Sequence, residues 1–443
     1  MRSHSLVCAG LIGLAVIGDV FLRSDAGAQM PPPKSPRPLD PTVLPPTPVG
    51  PIVPAAAAAR KPTPFDRFRD YDKLPELTRQ MVFSAQRGME WLARDGIHQP
   101  DGRFIAGVNP ALGKATDDDH FLRQALAAFA LARSAKLTGD EKFAVRSGQT
   151  ILSLLAEAPK DSATPALRRP AQSNAVCNRV GAAAYLAMAI FELPDSSADL
   201  IQAGEELCQF IRTQAKTDGS LDLTEGGEAA DTETVNHVAG PALYALALSN
   251  RAAPAQWKAD TLARGLTYYR KFFRANPLPG FVPWMTAAFA DAHLQTKEPA
   301  YAEFVFEMND WLRKLQYENP DPRKAAWRGG FPVVVDGKVA HLPPTVETAY
   351  YAQGFADACR MIRNMERPDA DRYAAYRTTL MRSLQFLTGL QYGEDNAAHF
   401  SAAFRPLVVG AFHPTHADGN LRVDHTAIAV SAFAQFLLVG ADR

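Results

Sequence analysis

Residues 426–440 read TAIAVSAFAQFLLVG, fifteen positions without a charged side chain, near the end of the chain. A helix that is apolar all round must be buried all round. Five earlier stretches share this character: QALAAFALA at 124–132, GAAAYLAMAIF at 181–191, VAGPALYALALSN at 238–250, WMTAAFA at 284–290 and AYYAQGFA at 349–356. Before each comes a segment with charge on one face: Pro75–Arg94, Glu141–Glu157, Ser197–Lys216, Ala255–Ala275, Pro299–Gln316 and Asp369–Tyr392. In Ala255–Ala275, Leu262, Leu266, Tyr269 and Phe273 recur at helical spacing among Lys258, Asp260, Arg264, Arg270, Lys271 and Arg274.

The chain therefore reads as six helical hairpins, each an outer amphipathic helix followed by an inner buried one, and convincing strand patterns are absent. Such hairpins either stack as an open superhelix or close into a ring. An open stack needs a polar cap on its last repeat. The stretch 426–440 is as apolar as the others, so ring closure must cover it. The expected fold class is all-α, an (α/α)6 toroid over residues 66–443. Inner-to-outer connections are short, as at Leu137–Asp140 and Arg251–Pro254. Outer-to-inner connections are mostly long: Asp95–Thr116, Ala158–Asn174, Thr217–Ala230, Tyr317–Pro344 and Gly393–Asn420. The long loops thus gather on one face, with the inner-helix N-termini, and long loops on a rigid scaffold are where function sits.

Residues 1–28 read as a signal peptide: Arg2 and His4, an apolar run from Leu6 to Ile17, and a small-residue cleavage site at Ala26–Ala28. The run is short of the roughly 20 residues a spanning helix needs, so no membrane span is expected in the mature protein. Residues 29–65 hold thirteen prolines and the run Ala55–Ala59, a solvated polyproline-like linker. The expected location is secreted or periplasmic. Of the 443 residues, 47 are Lys or Arg and 47 Asp or Glu, so no basic stripe marks a nucleic-acid partner. Four cysteines exclude a disulfide-built module, and Cys208 and Cys359 fall in helical patterns that suit buried free thiols.

Four segments share a further pattern: GMEWLARDGIHQPDGRF at 88–104, CQFIRTQAKTDGSL at 208–221, MNDWLRKLQ at 308–316 with WRGGF at 327–331, and LQFLTGLQ at 384–391. They resemble the degenerate repeats of the squalene-cyclase and protein-prenyltransferase superfamily, in which an aromatic-Leu segment ends on Gln and Asp-Gly-x-aromatic follows. The resemblance implies an α/α toroid; Leu221 stands where the pattern has Trp. It covers the repeats and no catalytic motif. Asp117-Asp118-Asp119 follows Thr116 and so misses the Asp-x-Asp-Asp of the cyclases, and no segment matches the prenyltransferases' zinc ligands.

Ring geometry would bring together the polar groups at the starts of the inner helices. Candidate catalytic groups are Asp118, Asp119, Glu233, His237, Glu347 and His425. Candidate substrate-binding groups are His120, Arg123, Asn236, Trp284, Tyr350, Tyr351, Arg422 and Asp424. Carboxylates and neutral imidazoles can do acid–base work, arginines can steer an anion, and aromatic rings can wall a sugar. Acidic residues in a first helical turn also serve as caps, which is the other reading of Asp117–Asp119 and of Asp231-Thr232-Glu233. Three convergent histidines, or His413 with His416, could hold zinc, but the spacings match no metal motif, and no metal or cofactor is assigned. Three functional readings follow. The first is a carbohydrate-active hydrolase or lyase on an anionic polysaccharide. The second is a non-catalytic toroid binding a polysaccharide or other envelope polymer. The third is an isoprenoid cyclase or transferase without the usual acidic motifs, against which the inner helices' few aromatics count.

Overall fold

The computed structural model describes residues 62–116, 119–172, 176–335 and 337–442. The expected signal peptide, nearly all of the expected linker, Asp117, Asp118 and Asn174 lie outside the described residues.

Within the described residues, twelve helices of thirteen residues or more alternate between outer and inner. They are α1 Glu76–Ala93, α2 Phe121–Thr138, α3 Glu141–Ala156, α4 Arg179–Glu192, α5 Ala198–Thr213 and α6 Gly240–Ala252, then α7 Gln256–Ala275, α8 Val282–Thr296, α9 Pro299–Arg313, α10 Thr348–Arg363, α11 Ala370–Thr388 and α12 Val423–Leu438. Local chemistry sets their ends. Asp140, Ser197 and Asp369 cap α3, α5 and α11 through their side chains, and Gly139 ends α2 in the left-handed region. The even-numbered helices are buried nearly throughout, whereas the odd ones bury one face. Each inner helix packs on the next, and α12 packs on α2. The fold is an all-α toroid.

A glycine device clasps successive hairpins. Gly102, Gly219, Gly329 and Gly410 lie in four of the long loops with φ between +85° and +104°. A Cβ on any of them would come within 3.0 Å of a backbone carbonyl on the next outer helix, at Gln149 of α3, Arg264 of α7, Arg382 of α11 and Arg87 of α1 respectively. In each case only glycine allows both the backbone angle and the approach. A side chain then grips the same outer helix one turn earlier. Gln316 Nε2 donates to Thr379 O at 2.9 Å, Gln391 Nε2 to Ser84 O at 3.0 Å, and His98 Nε2 lies 3.2 Å from Arg146 O. Ala215, which pairs with Leu221 as His98 pairs with Phe104, fills that place in the remaining loop. The last clasp, Gly410 on α1, joins the end of the chain to its beginning.

Two further contacts close the ring. Strand β1 Gly107–Asn109 pairs antiparallel with β2 Lys114–Thr116 on one side and with β3 Leu421–Arg422 on the other. Arg67 donates to Asp442 Oδ1 at 2.6 Å. A separate hairpin pairs Val333–Val335 with Lys338–Ala340. These strands, three residues or fewer, are too short for the alternation that marks a strand in sequence.

At the opposite mouth, where the inner helices end, a buried polar network spans the ring. Arg133 of α2 reaches Glu192 of α4 (3.3 Å), Tyr244 of α6 (3.3 Å) and Ser431 of α12 (3.0 Å). Asp291 of α8 holds Arg251 of α6 (2.9 Å) and Arg360 of α10 (3.0 Å), and Gln435 of α12 donates to Asp357 of α10 (2.7 Å). Cys177, Cys208 and Cys359 are buried free thiols, and burial pushes each up to about 12.

Two glycine substitutions separate the clasp from ordinary helix propensity. Gly410→Ala is expected to lower stability by about 3 kcal/mol, from positive-φ strain plus the clash with Arg87 O. Gly148→Ala, inside α3 with open space around it, should raise stability by about 0.5–1 kcal/mol. Urea denaturation midpoints measure both; equal shifts of one sign would contradict the clasp.

Candidate functional site

The inner-helix N-termini and the long loops enclose a two-part hollow. The outer chamber, of about 240 Å³, is lined by Glu233, Asn236, His237, Glu347, Tyr351, Arg422 and His425, with Asp418 and Asn420 on its rim. The inner chamber, of about 80 Å³, is lined by His120, Arg123, Tyr185, Trp284, Tyr350 and Asp424. Both parts share His237, Gly280, Glu347, Tyr351 and Arg422, so the hollow is continuous.

Local backbone chemistry aims His237. Residues Val235–Ala239 form a π turn leading into α6, and Pro241 stands two residues beyond it. Proline has no N–H to return to the carbonyl of residue 237, and its ring crowds that carbonyl, so the helix widens there. The His237 imidazole then packs on Gly280, where an added Cβ would lie 2.8 Å from Cε1. Its Nε2 lies 2.9 Å from Glu233 Oε1, a turn away on the same face.

Glu347, at the start of α10, faces this pair. Burial raises its pKa above the ordinary carboxyl value; the His237 charge opposes the rise and the Glu233 charge adds to it. Two carboxyls therefore share the chamber, one of them tuned toward the protonated form. His425 is driven the other way. Burial lowers it to about 4; Asp424 opposes the fall, and the Arg422 and Arg123 charges add to it. The ring is thus neutral near pH 7, and its Nδ1 finds no hydrogen-bond partner among the described residues; the same holds for Asn236 Oδ1. Burial alone would raise Asp424, yet Arg422, gripping it with bonds of 3.0 and 2.6 Å, together with the His425 and Arg123 charges, holds it well below the carboxylate range.

Aromatic rings line the inner chamber. Trp284 sits 5.6 Å from Tyr185, 5.8 Å from Phe129, 5.9 Å from Tyr244 and 6.3 Å from Tyr350, ring centre to ring centre. Aromatics that look scattered along the sequence come from five helices to one point. The inner helices' few aromatics thus form one wall, which removes that ground against an isoprenoid site; the small inner chamber, about 80 Å³, stands against one.

All the sequence candidates among the described residues line this hollow except Asp119. Asp119 Oδ1 accepts from Gln124 Nε2 (2.7 Å) and from the backbone N–H of His120 (2.7 Å), and Arg103 lies 3.6 Å from Oδ2. It pins the start of α2 from outside the chamber. Asp231 caps its helix through Thr234 N, and His120 Nδ1 accepts from Leu122 N. Arg123 and Arg422, the two arginines expected to steer an anion, both lie against Asp424. Arg422 grips Asp424, and Arg123 Nε lies 3.9 Å from the same carboxylate, so that buried negative charge holds both. Among the described residues no three His, Cys, Asp or Glu side chains are placed to hold a metal ion. His413 instead bonds Thr415 O (2.6 Å), and His416 packs on Phe386. Gly280, Tyr185, Asp418 and Asn420 are lining residues that the sequence did not single out; only the fold sets Gly280 beneath His237.

No family model and no curated protein matches this chain. Solved structures do. A D-mannose isomerase superposes with a TM-score of 0.59 at 13% identity over 82% of this chain and 99% of the other. An α-1,6-mannanase from Salegentibacter sp. HEL1_6 gives 0.56 at 11% over 81% and 99%. An unsaturated glucuronyl hydrolase specific for heparin gives 0.55 at 10% over 81% and 96%. At such identities the likeness establishes the toroid fold. These neighbours are carbohydrate-active toroids, whereas the sequence pointed to the squalene-cyclase branch of the same architecture.

The depressed imidazole makes stability depend on pH. His425 binds its proton near 6.5 unfolded and about 4 folded, so its contribution is present above pH 6.5 and is lost as pH falls toward 4. Replacing it with Gln should flatten the wild-type stability profile between those values by up to about 3 kcal/mol, measured by urea titration at each pH. An unchanged slope would contradict the assignment.

Proposed function

We propose that this protein is an exported carbohydrate-active enzyme that cleaves glycosidic bonds at the mouth of its toroid. The observation that carries this reading is the chamber itself. A Glu233–His237 pair in contact shares the chamber with Glu347, a carboxyl raised toward its protonated form, and adjoins unsatisfied polar atoms on His425 and Asn236. A ligand rich in hydroxyls satisfies such atoms, and buried polar groups left unpaired disfavour ligands that lack them. The aromatic inner wall suits the apolar face of a sugar ring.

In this reading Glu347 is the general acid. Burial and the Glu233 charge keep its proton until a glycosidic oxygen takes it. Glu233, held by His237, serves the opposite role, as base or nucleophile. His425 and Asn236 bond sugar hydroxyls, and the Arg422–Asp424 pair fixes the floor between the chambers. The structural neighbours named for action on mannan and on glucuronyl sugars support a carbohydrate substrate. The squalene-cyclase resemblance we read as one of architecture, carried by the Gly-clasped loops. Export rests on the run Leu6–Ile17 and the small residues at 26–28.

The test is turnover. The purified protein, incubated with α-1,6-mannan, polygalacturonate and sulfated glycosaminoglycans, should release new reducing ends from one of them. Glu347→Gln should lower kcat about 100-fold or more while leaving binding in place. Full activity in Glu347→Gln, or in a His237→Ala/His425→Ala double variant, would overturn the site. A secreted form starting near Gln29, read by N-terminal sequencing, is expected; a cytoplasmic form retaining residues 1–28 would contradict export.

A further inference from the structure

A second depression, of about 410 Å³, lies beside the mouth where the first and last long loops meet. Pro110 and Ala111 of the first loop form one side, and Tyr392 and Phe400 of the last form the other. It shares Asp418 and Asn420 with the outer chamber, so the two spaces adjoin on either side of one short turn. That turn is anchored: the Tyr392 hydroxyl donates to Gly419 O at 3.3 Å. Tyr392 and Phe400 pack at 5.9 Å, ring centre to ring centre, with an interplanar angle of 71°. Both rings are half-buried and line the groove, with exposed His399 packed on Phe400 at 3.9 Å, ring centre to ring centre.

We infer that the substrate is a chain of several sugar units, and that this groove holds the units outside the reacting chamber. The inference rests on the carbohydrate reading above. A pyranose ring has an apolar face and polar edges. Half-exposed aromatic rings meet the face, and the Asp418 carboxylate and Asn420 amide at the junction meet the hydroxyl edges. The two-part hollow, at about 240 and 80 Å³, sits at the low end of the roughly 300–1,000 Å³ of drug-sized ligand sites, too small for a long sugar chain. Binding energy gathered by remote units can then be used at the reacting bond, so that short substrates lose turnover as well as affinity.

The experiment is calorimetric titration of the full-length protein with two ladders, α-1,6-manno-oligosaccharides and oligogalacturonates, from one to four units. In one ladder, affinity should rise about tenfold or more from monosaccharide to tetrasaccharide. Ala111→Trp fills the groove from an exposed position without removing a core contact. It should erase the gain with length while monosaccharide affinity stays unchanged. Affinity independent of length, or a gain that survives Ala111→Trp in a folded protein, would overturn the groove while leaving the chamber reading intact. Failure of every member of both ladders, monosaccharides included, would count against the carbohydrate reading itself and the groove with it.

Discussion

Ring closure is the constraint on which the rest of this structure depends. Six inner helices with uncharged central stretches must each be covered on all sides, and only a closed circle covers the first and the last alike. The chain meets the constraint with one repeated contact. A left-handed glycine lets a long loop lie against the backbone of the next outer helix, and the loop of the sixth hairpin lies against the first helix in the same way. Gly410 on Arg87 O thus repeats Gly102 on Gln149 O, so the closing joint uses the chemistry of the internal joints.

Closure also makes the site. Because every inner helix points the same way, one mouth collects N-termini and the other collects C-termini. At the N-terminal mouth the positive helix ends favour carboxylates, and Glu233, Glu347 and Asp424 gather there. Burial opposes the dipoles at Glu347 and prevails. At the other mouth the negative helix ends favour cations, and Arg133, Arg251 and Arg360 are held by Glu192, Asp291 and Asp357. A buried network of that kind is weak evidence of stability, since desolvation offsets much of the attraction. Its partners come from all six inner helices, so it ties them to one register.

The architecture was legible because burial leaves a mark in composition: TAIAVSAFAQFLLVG or GAAAYLAMAIF fits no exposed position in a soluble fold. The locations of Glu233, His237, Glu347 and His425 were legible for a related reason, since polar residues just ahead of such stretches must face the mouth. Pairings were not legible. Arg422 and Asp424 stand two residues apart, yet whether the arginine meets its neighbour or a substrate depends on loop geometry that β1 and β3 set. Asp119 reads like Glu233 in sequence; Gln124, one turn on, captures it. Arg133, Asp291 and Asp357 each look like an ordinary charge at the end of an apolar run, and only the circle shows them meeting. Trp284 and the four aromatics around it come from five helices, a convergence no local pattern encodes.

Circular permutation tests closure most directly. Arg67 already bonds Asp442, so a short linker can join residue 442 to residue 64, and new ends can be opened in the Leu137–Asp140 connection. Chain ends that lie together tolerate such rewiring. A closed toroid predicts that the permutant melts in one cooperative transition within a few degrees of the parent domain, with unchanged helix content by circular dichroism. Loss of the cooperative transition, or a permutant that folds only when the original ends are restored, would contradict a ring whose last helix rests on its first.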